Sequence, residues 1–274
     1  DLPERAAREQ YLTMRLKDRP ASTVSEEIIK LIAERSPGMS IANLESVIEM
    51  AARNAIKSGE ELTNKFLEDA LETIRFGEER AKDPEAVKRT ACHEAGHTIM
   101  YWLSGWLPAY VTVVARGDHG GYMARCAAEI EKQASRTRNE LLADIRVDLA
   151  GRATELIYYG FDAGLSTGAS QDLEHATNTA RAMVCRYGMD EEFGLLVTPE
   201  LMKHEGALSS PVYIKVNKAA SKILKEQMEM TLNLLKENRK YLDAVAKSLA
   251  EKERLTSDEL QEILPPISKE SAQT

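Results

Sequence analysis

The sequence predicts a mainly α-helical protein in which a small four-helix module precedes a larger, mostly helical domain with a small β element. Only 5% of the 274 residues are aromatic, whereas alanine, leucine, isoleucine and methionine are common. This composition favours packed helices over a β-sandwich. Apolar residues also recur at helical spacing through most of the chain, between segments marked by glycine and proline. The length is sufficient for one large core or two ordinary ones.

The first 80 residues carry the start and stop signals of short helices. These helices are predicted at residues 4–17, after Ser22-Thr23, between Ser40 and Gly59, and between Thr63 and Gly77. Apolar residues repeat on one face of the later helices, so the module can bury a core of its own. The charged stretch at residues 78–82 is interpreted as the boundary between domains at 1–80 and 81–274, although it also fits a solvated helix end.

The second domain begins with the motif that carries the chemistry of the sequence, His93-Glu94-Ala95-Gly96-His97. Asp83-Pro84 is predicted to start the helix that contains this H-E-x-x-H pattern. Residues four apart lie on one face of a helix, so His93 and His97 can hold a single ion. Glu94 lies at the flank, where its carboxylate can accept a proton from a metal-activated water. The pattern is typical of zinc peptidases, which require a third protein ligand.

The rest of this domain is predicted to be helical around one β element. Residues 110–115 form the clearest strand, because β-branched residues dominate there, and residues 122–124 can form a return strand. Helices are predicted at residues 83–103, from Thr137 to Gly160, from the capping residue Ser170 to about Tyr187, from about Pro211, and from Thr256 to Pro265-Pro266. Residues 189–210 are predicted to be irregular and the tail from about residue 267 to be disordered.

Two familiar sources of the third ligand do not suit this sequence. A metzincin would have glycine and histidine where Met100 and Leu103 stand. A thermolysin-like enzyme would supply a glutamate from a following helix, but Glu129 and Glu131 are the nearest candidates and neither has a suitable context. Asp172 remains, because a glycine-containing loop delivers it into the first turn of a helix. From its position alone, Asp172 is interpreted as a favourable first-turn charge more readily than as a ligand, and both alternatives stay open.

Several separate motifs, in the expected order, resemble the FtsH family of ATP-dependent zinc metalloproteases. They lie at residues 90–97, 151–160, 166–177, 180–184, 186–189 and 193–194. The resemblance implies that His93, His97 and Asp172 are the zinc ligands. Glu94 then matches the general base, and Glu155 matches an acidic residue near the site. The implied function is that of a zinc-dependent endopeptidase, with one Zn²⁺ per chain, that hydrolyses unfolded or misfolded polypeptides by a metal-activated water.

The same resemblance assigns the amino-terminal module. Residues 35–40 and 44–53 are similar to the helical lid of the family's AAA+ ATPase. The implied architecture is a four-helix AAA+ lid domain followed by a mostly helical zincin-type peptidase domain with a small β element. No G-x-x-x-x-G-K-[ST] phosphate loop occurs in the chain, so ATP is expected only in a full-length protein. We expect the large ATPase subdomain and a membrane anchor to precede residue 1.

The resemblance also implies partners and location. The family forms homo-hexamers, and contact with a membrane is expected only through an anchor outside this chain, with this region in the cytoplasm. No apolar run approaches the about 18 residues of a membrane span, so the chain as given is expected to be soluble. A net charge of −8, without a basic stripe interleaved with aromatic residues, argues against nucleic-acid binding.

Some residues and segments fit more than one interpretation. His119 and His175 are interpreted as a turn residue and a surface or packed residue, although either can approach a metal. Residues 111–115 fit an edge strand that aligns an extended substrate and an internal strand equally well. A zinc-bound but inactive assembly module is the main alternative to a protease. A second alternative is a structural adaptor protein in which the histidines serve only in packing.

Overall fold

The computed structural model is mainly α-helical, as predicted, and describes residues 2–17, 23–81, 83–117, 120–126, 129, 135–162, 164–195 and 211–266. Its contacts divide the chain into two compact units, residues 1–81 with 115–119 and residues 82–114 with 120–274. The boundary between residues 81 and 82 lies one residue beyond the predicted boundary. The return of a later segment to the first unit is not visible in the sequence, because it depends on a β-bridge between Glu79 and Arg116.

The described residues of the first unit form the helices α1 (Arg5–Lys17), α2 (Glu26–Arg35), α3 (Ile41–Ser58) and α4 (Asn64–Phe76). Helix α1 packs on α2, and α3 packs on α4. Each helix contributes one apolar stripe to a common core of buried aliphatic side chains, which includes Leu12, Ile32, Leu44, Ile48 and Leu67. Burial of each such side chain stabilises the unit by about 1.5–3 kcal/mol relative to exposure.

Capping residues set the ends of these helices. Ser40 begins α3 with a capping box, and Gly59 ends it in the left-handed conformation, both as predicted. The second helix begins later than the predicted signal at Ser22-Thr23, because its N-cap is Ser25, whose hydroxyl accepts an amide of the first turn. Thr63 precedes α4 as predicted, but its side chain accepts no capping hydrogen bond.

The second unit is built around helix α5 (Pro84–Leu103), which carries the H-E-x-x-H pattern. Asp83 caps this helix and Pro84 is its first residue, as predicted. The later helices of the described residues are α6 (Arg138–Tyr159), α7 (Ser170–Cys185), α8 (Pro211–Glu237), α9 (Arg239–Lys252) and α10 (Ser257–Ile263). Helix α5 packs on α6 and α9, and α6 packs in turn on α7 and α8. The histidine motif therefore lies at a central helix contact.

Gly96 allows α5 and α6 to approach closely. A Cβ atom at this position would lie 2.7 Å from the carbonyl oxygen of Ala150 and would overlap the hydroxyl of Thr154, both on α6. The distance between packed helices depends on the side chains at their contact. Because Gly96 lies between the two histidines of the motif, this close approach places their face of α5 next to α6.

The β element is a three-stranded antiparallel sheet in the described part of the chain, with the strand order β2-β1-β3. Strand β1 (Tyr110–Thr112) pairs on one side with β2 (Tyr122–Ala124) and on the other with β3 (Arg254–Thr256). Strand β1 is therefore internal, and the alternative that residues 111–115 form a substrate-aligning edge strand is wrong. It also ends earlier than predicted, and β3 was not predicted.

Two further expectations need correction at α7. The helix begins with Ser170 itself and has Ala169 as its N-cap, so the predicted capping role of Ser170 is wrong. Ser166 caps the preceding 3-10 turn instead, since its hydroxyl accepts the amide of Gly168. The helix ends at Cys185, before the predicted Tyr187. The tail from residue 267 and most of the predicted irregular segment lie outside the described residues.

Membrane contact was expected only outside this chain. Among the residues that the structure describes, no helix combines the length and the apolar character needed to cross a membrane.

Candidate metal centre

Three side chains from α5 and α7 converge on one point. His93 and His97 lie one turn apart on α5, and their Nε2 atoms are 3.0 Å from each other. Oδ2 of Asp172, in the first turn of α7, lies 3.1 Å from Nε2 of His93 and 3.5 Å from Nε2 of His97. The structure thus brings together the three residues expected to be ligands, as a group that can hold a metal ion.

The spacing of these atoms fits a tetrahedral zinc site. Zinc–ligand distances of about 2.0–2.1 Å place neighbouring ligand atoms of a tetrahedron roughly 3.3–3.4 Å apart. The observed separations of 3.0, 3.1 and 3.5 Å scatter around this value. Two imidazole nitrogens and one carboxylate oxygen are also donors that catalytic zinc takes, with a fourth position left for water or substrate. The residues present therefore fit the ion.

Acceptors behind the ligands orient both imidazoles. Nδ1 of His97 donates to the carbonyl oxygen of Val147 at 2.7 Å. Since a carbonyl only accepts, this bond places the proton on Nδ1 and leaves Nε2 for a metal. Nδ1 of His93 faces Oε1 of Glu155 at 3.6 Å. Glu155 therefore lies behind a ligand, where it can orient the ring without reaching the metal position.

Glu155 is itself held in place from the loop that precedes α7. It accepts the hydroxyl of Ser166 at 2.5 Å and pairs with Nη1 of Arg152 at 3.1 Å. Arg152 also donates to the carbonyl oxygen of Ser166 at 2.7 Å. Although burial opposes ionisation, the hydrogen bonds to His93 and Ser166 hold the pKa of Glu155 below its ordinary value. These bonds fasten the loop to α6 and so help to bring Asp172 to α5.

Gly151 provides the space for the ring of His93. A Cβ atom at this position of α6 would overlap the imidazole, so replacement of Gly151 by alanine is expected to displace His93. We expect affinity for Zn²⁺ to fall about 10- to 100-fold, measured by competition with a chromophoric chelator. Gly120→Ala is the matched control, because a Cβ there meets Thr90 at 3.5 Å, an ordinary contact. Equal affinities of the two variants would contradict this role of Gly151.

Glu94 is buried beside the ligand group, with 6% of its surface exposed. A Cβ atom at Gly121 would lie 2.8 Å from Cγ and from Oε1 of Glu94, so the chain before β2 passes directly over this carboxylate. Burial raises the pKa of Glu94, against the opposing charges of His97 and His93. A raised pKa makes a carboxylate a better proton acceptor.

The ligand side chains are coupled by charge. Burial alone would lower the pKa of His93, but hydrogen bonds to Asp172 and Glu155 outweigh it and raise this pKa to about 10. Burial likewise opposes ionisation of Asp172, but hydrogen bonds from His93 and His97 hold its pKa well below the usual range. Because a bound cation replaces protons on such ligands, affinity for metal is expected to rise with pH.

The other candidate residues lie elsewhere. His175 is exposed on α7 and does not belong to the ligand group, while His119 and Glu131 lie outside the described residues. Glu129 is buried and accepts the hydroxyl of Tyr101 at 2.7 Å, away from the ligands. No pattern in the sequence predicts the role of the Val147 carbonyl or the steric role of Gly151. Both depend on contact with another helix.

Comparison with known proteins shows a family match and several similar sequences. The family model of peptidase family M41 matches residues 80–263. An ATP-dependent zinc metalloprotease FtsH of Veillonella parvula is 34% identical over 268 residues, which cover 92% of this chain and 41% of that protein. The chloroplastic/mitochondrial ATP-dependent zinc metalloprotease FTSH 11 of Arabidopsis thaliana is 33% identical over 96% of this chain and 32% of its own length. The ATP-dependent zinc metalloprotease FtsH of Thermotoga maritima is 31% identical over 96% of this chain and 45% of its own length.

The chain thus spans less than half the length of these relatives. The matched residues 80–263 include the H-E-x-x-H helix, the loop before α7 and Asp172. The resemblance deduced from the motifs is confirmed, since the similarity to FtsH proteins extends over nearly the whole chain. The chain belongs to peptidase family M41 and corresponds to the protease region of FtsH proteins.

Proposed function

We propose that this chain is a zinc-dependent endopeptidase in which three side chains hold one Zn²⁺ and Glu94 is the general base. The ligands in this proposal are His93, His97 and Asp172. The observation that carries it is the convergence of their ligand atoms to separations of 3.0–3.5 Å beside a buried carboxylate. Membership of peptidase family M41 supports a zinc protease, and the relatives are named zinc metalloproteases.

The residues of the site share the steps of peptide hydrolysis. When bound, zinc would lower the pKa of a water molecule and polarise the carbonyl group of the scissile bond. Glu94 accepts the proton that the attacking water loses and passes it to the leaving amine. Burial raises the pKa of Glu94, which favours acceptance of this proton. Val147 and Glu155 lie behind the two imidazoles, where they orient the rings toward the metal position.

Strand β2 is proposed to align the substrate by backbone pairing. Among the strands of the described residues β2 pairs with β1 alone, so it is an edge strand of this sheet. Gly121 directly precedes β2 and lies against Glu94. An extended peptide added to this edge would therefore pass beside the general base. Pairing of this kind recognises the backbone and requires an extended chain, which favours unfolded or misfolded polypeptides as substrates.

The larger assembly is proposed from the relatives, which are named ATP-dependent. Helices α1 to α4 belong to a compact unit of their own, and we assign this unit as the AAA+ lid and the second unit as a zincin-type peptidase domain. An ATPase subdomain outside this chain would then deliver substrate within a homo-hexamer that is anchored to a membrane on its cytoplasmic side. Light scattering that shows only monomers at high concentration would count against self-assembly of this chain.

Metal content and casein cleavage together test the proposed function. We expect one zinc ion per chain, cleavage of casein without ATP because casein is already flexible, and complete loss of cleavage after removal of zinc by a chelator. Added Zn²⁺ is expected to restore cleavage. Zinc without cleavage would favour the inactive assembly module. A folded chain that binds no zinc would favour the structural adaptor.

A further inference from the structure

Arg125 directly follows strand β2 and lies at the centre of a polar cluster. Its Nη1 donates to Oε1 of Glu129 and to Oδ1 of Asp144, each at 3.0 Å, and its Nη2 lies 4.0 Å from Oδ1 of Asp148. The guanidinium carbon also lies 5.8 Å from the centre of the Tyr101 ring. Asp144 and Asp148 belong to α6, whereas Tyr101 belongs to α5. One side chain thus joins the end of β2 to both helices behind the metal centre.

Tyr101 makes a second connection between the same segments. Its hydroxyl accepts the backbone amide of Cys126 at 3.1 Å and donates to Oε2 of Glu129 at 2.7 Å. Tyr101 is almost fully buried and lies one helical turn after His97 on α5. Burial raises the pKa of Tyr101, so its hydroxyl keeps the proton that it donates. The two residues after β2 are therefore both bonded to groups outside the sheet.

The side chains of this cluster are charged and largely removed from water. The side chains of Glu129, Asp144 and Asp148 are 8%, 18% and 16% exposed. Burial would lower the pKa of Arg125, but the charges of Asp144 and Glu129 outweigh it and raise this pKa above its ordinary value. Hydrogen bonds between ionised groups are stronger than neutral ones, and more so where water is scarce. Removal of the guanidinium would leave these carboxylates to repel one another.

We infer that Arg125 is a positioning residue that fixes β2 relative to Glu94 and thereby sets the affinity for an extended polypeptide substrate. The inference rests on the proposed function, in which the edge strand β2 aligns that substrate. Gly121 locates the first end of β2 against Glu94, and the Arg125 cluster locates the other end. Because Arg125 contacts none of the three ligand side chains, its loss is expected to move the strand and leave the metal in place.

Separate measurement of KM and kcat tests this role. With a fluorogenic peptide and the full chain, we expect Arg125→Gln to raise KM about tenfold, while kcat and zinc content change less than about twofold. The KM of Arg125→Lys should lie between those of the unaltered chain and Arg125→Gln, because an ammonium group only partly replaces the planar guanidinium. Arg136→Gln is the matched control: Arg136 also pairs with Asp144, at 2.6 Å, but is not adjacent to β2. Its KM is expected to equal that of the unaltered chain.

Tyr101→Phe tests the same connection without a change of charge. It removes the hydroxyl that joins Cys126 to Glu129, and it replaces Arg125→Gln if thermal denaturation shows that the latter does not fold. We expect KM to rise here as well, with zinc retained. Unchanged KM in the folded variants, or a fall in kcat that parallels loss of zinc, would overturn the inference. An inactive unaltered chain would instead contradict the proposed function, and this inference with it.

Discussion

Replacement of Glu94 by glutamine is expected to lower kcat for cleavage of casein by about 10²- to 10⁴-fold. Glutamine keeps the size of the side chain, but its amide cannot take a proton from water and return it to the leaving amine. Zinc should remain at one ion per chain, because Glu94 does not belong to the ligand group. Burial already disfavours the charge of this carboxylate, so its loss is not expected to destabilise the fold.

The measurement requires zinc analysis and turnover on the same preparation. Glu85→Gln is the matched control, since Glu85 is an exposed glutamate in the first turn of the same helix. Its turnover is expected to equal that of the unaltered chain. If Glu94→Gln retained full turnover, Glu94 would not be the general base. A loss of zinc in this variant would mean that the carboxylate supports the metal instead.

Replacement of Asp172 by asparagine is expected to weaken zinc binding by at least about 100-fold. The substitution removes the negative charge and one of the three donors, while the neutral amide oxygen is a poor replacement. At limiting zinc, casein cleavage should fall in parallel, and excess Zn²⁺ should recover part of it. Equilibrium competition with a chromophoric chelator gives the affinity.

The same variant decides between the two interpretations that the sequence left open for Asp172. A first-turn charge that only stabilises α7 would contribute about 0.3–1 kcal/mol to the free energy of unfolding and nothing to zinc affinity. Asp258→Asn is the control, because Asp258 occupies the first turn of α10 and is exposed. If both variants lost a little stability and kept their zinc affinity, Asp172 would not be a ligand.

Helix boundaries were predictable where their signals are local. Asp83 and Pro84 begin α5, and the capping boxes at Ser40 and Thr137 begin α3 and α6, because each signal acts within one turn. Prediction failed where several residues of the same kind stand close together. Ser166 caps a 3-10 turn although Ser170 has an equally suitable side chain, and only the path of the backbone distinguishes them.

The β element shows the limit of local signals more clearly. Residues 110–112 are rich in β-branched and aromatic side chains, and their strand was predicted. Its partner β3 consists of the three residues Arg254–Thr256, between the ends of two helices. Thr112 pairs with Arg254 and Tyr110 with Thr256. Pairing between residues so far apart in the sequence makes β3 a strand and β1 internal, and it leaves β2 at the edge of the described sheet, where we propose that substrate binds.

The periodicity of one helix was enough to relate His93, Glu94 and His97, because residues four apart on a helix share a face in any surroundings. Asp172 required the family resemblance, since its distance along the chain says nothing about its distance in space. Tertiary contacts among α5, α6, α7 and the segments beside them set the 3.1 Å approach of Asp172 to His93, the space at Gly151 and the attachment of β2 through Arg125. Local sequence fixes the geometry within a helix, whereas the geometry between helices depends on contacts among residues far apart in the chain.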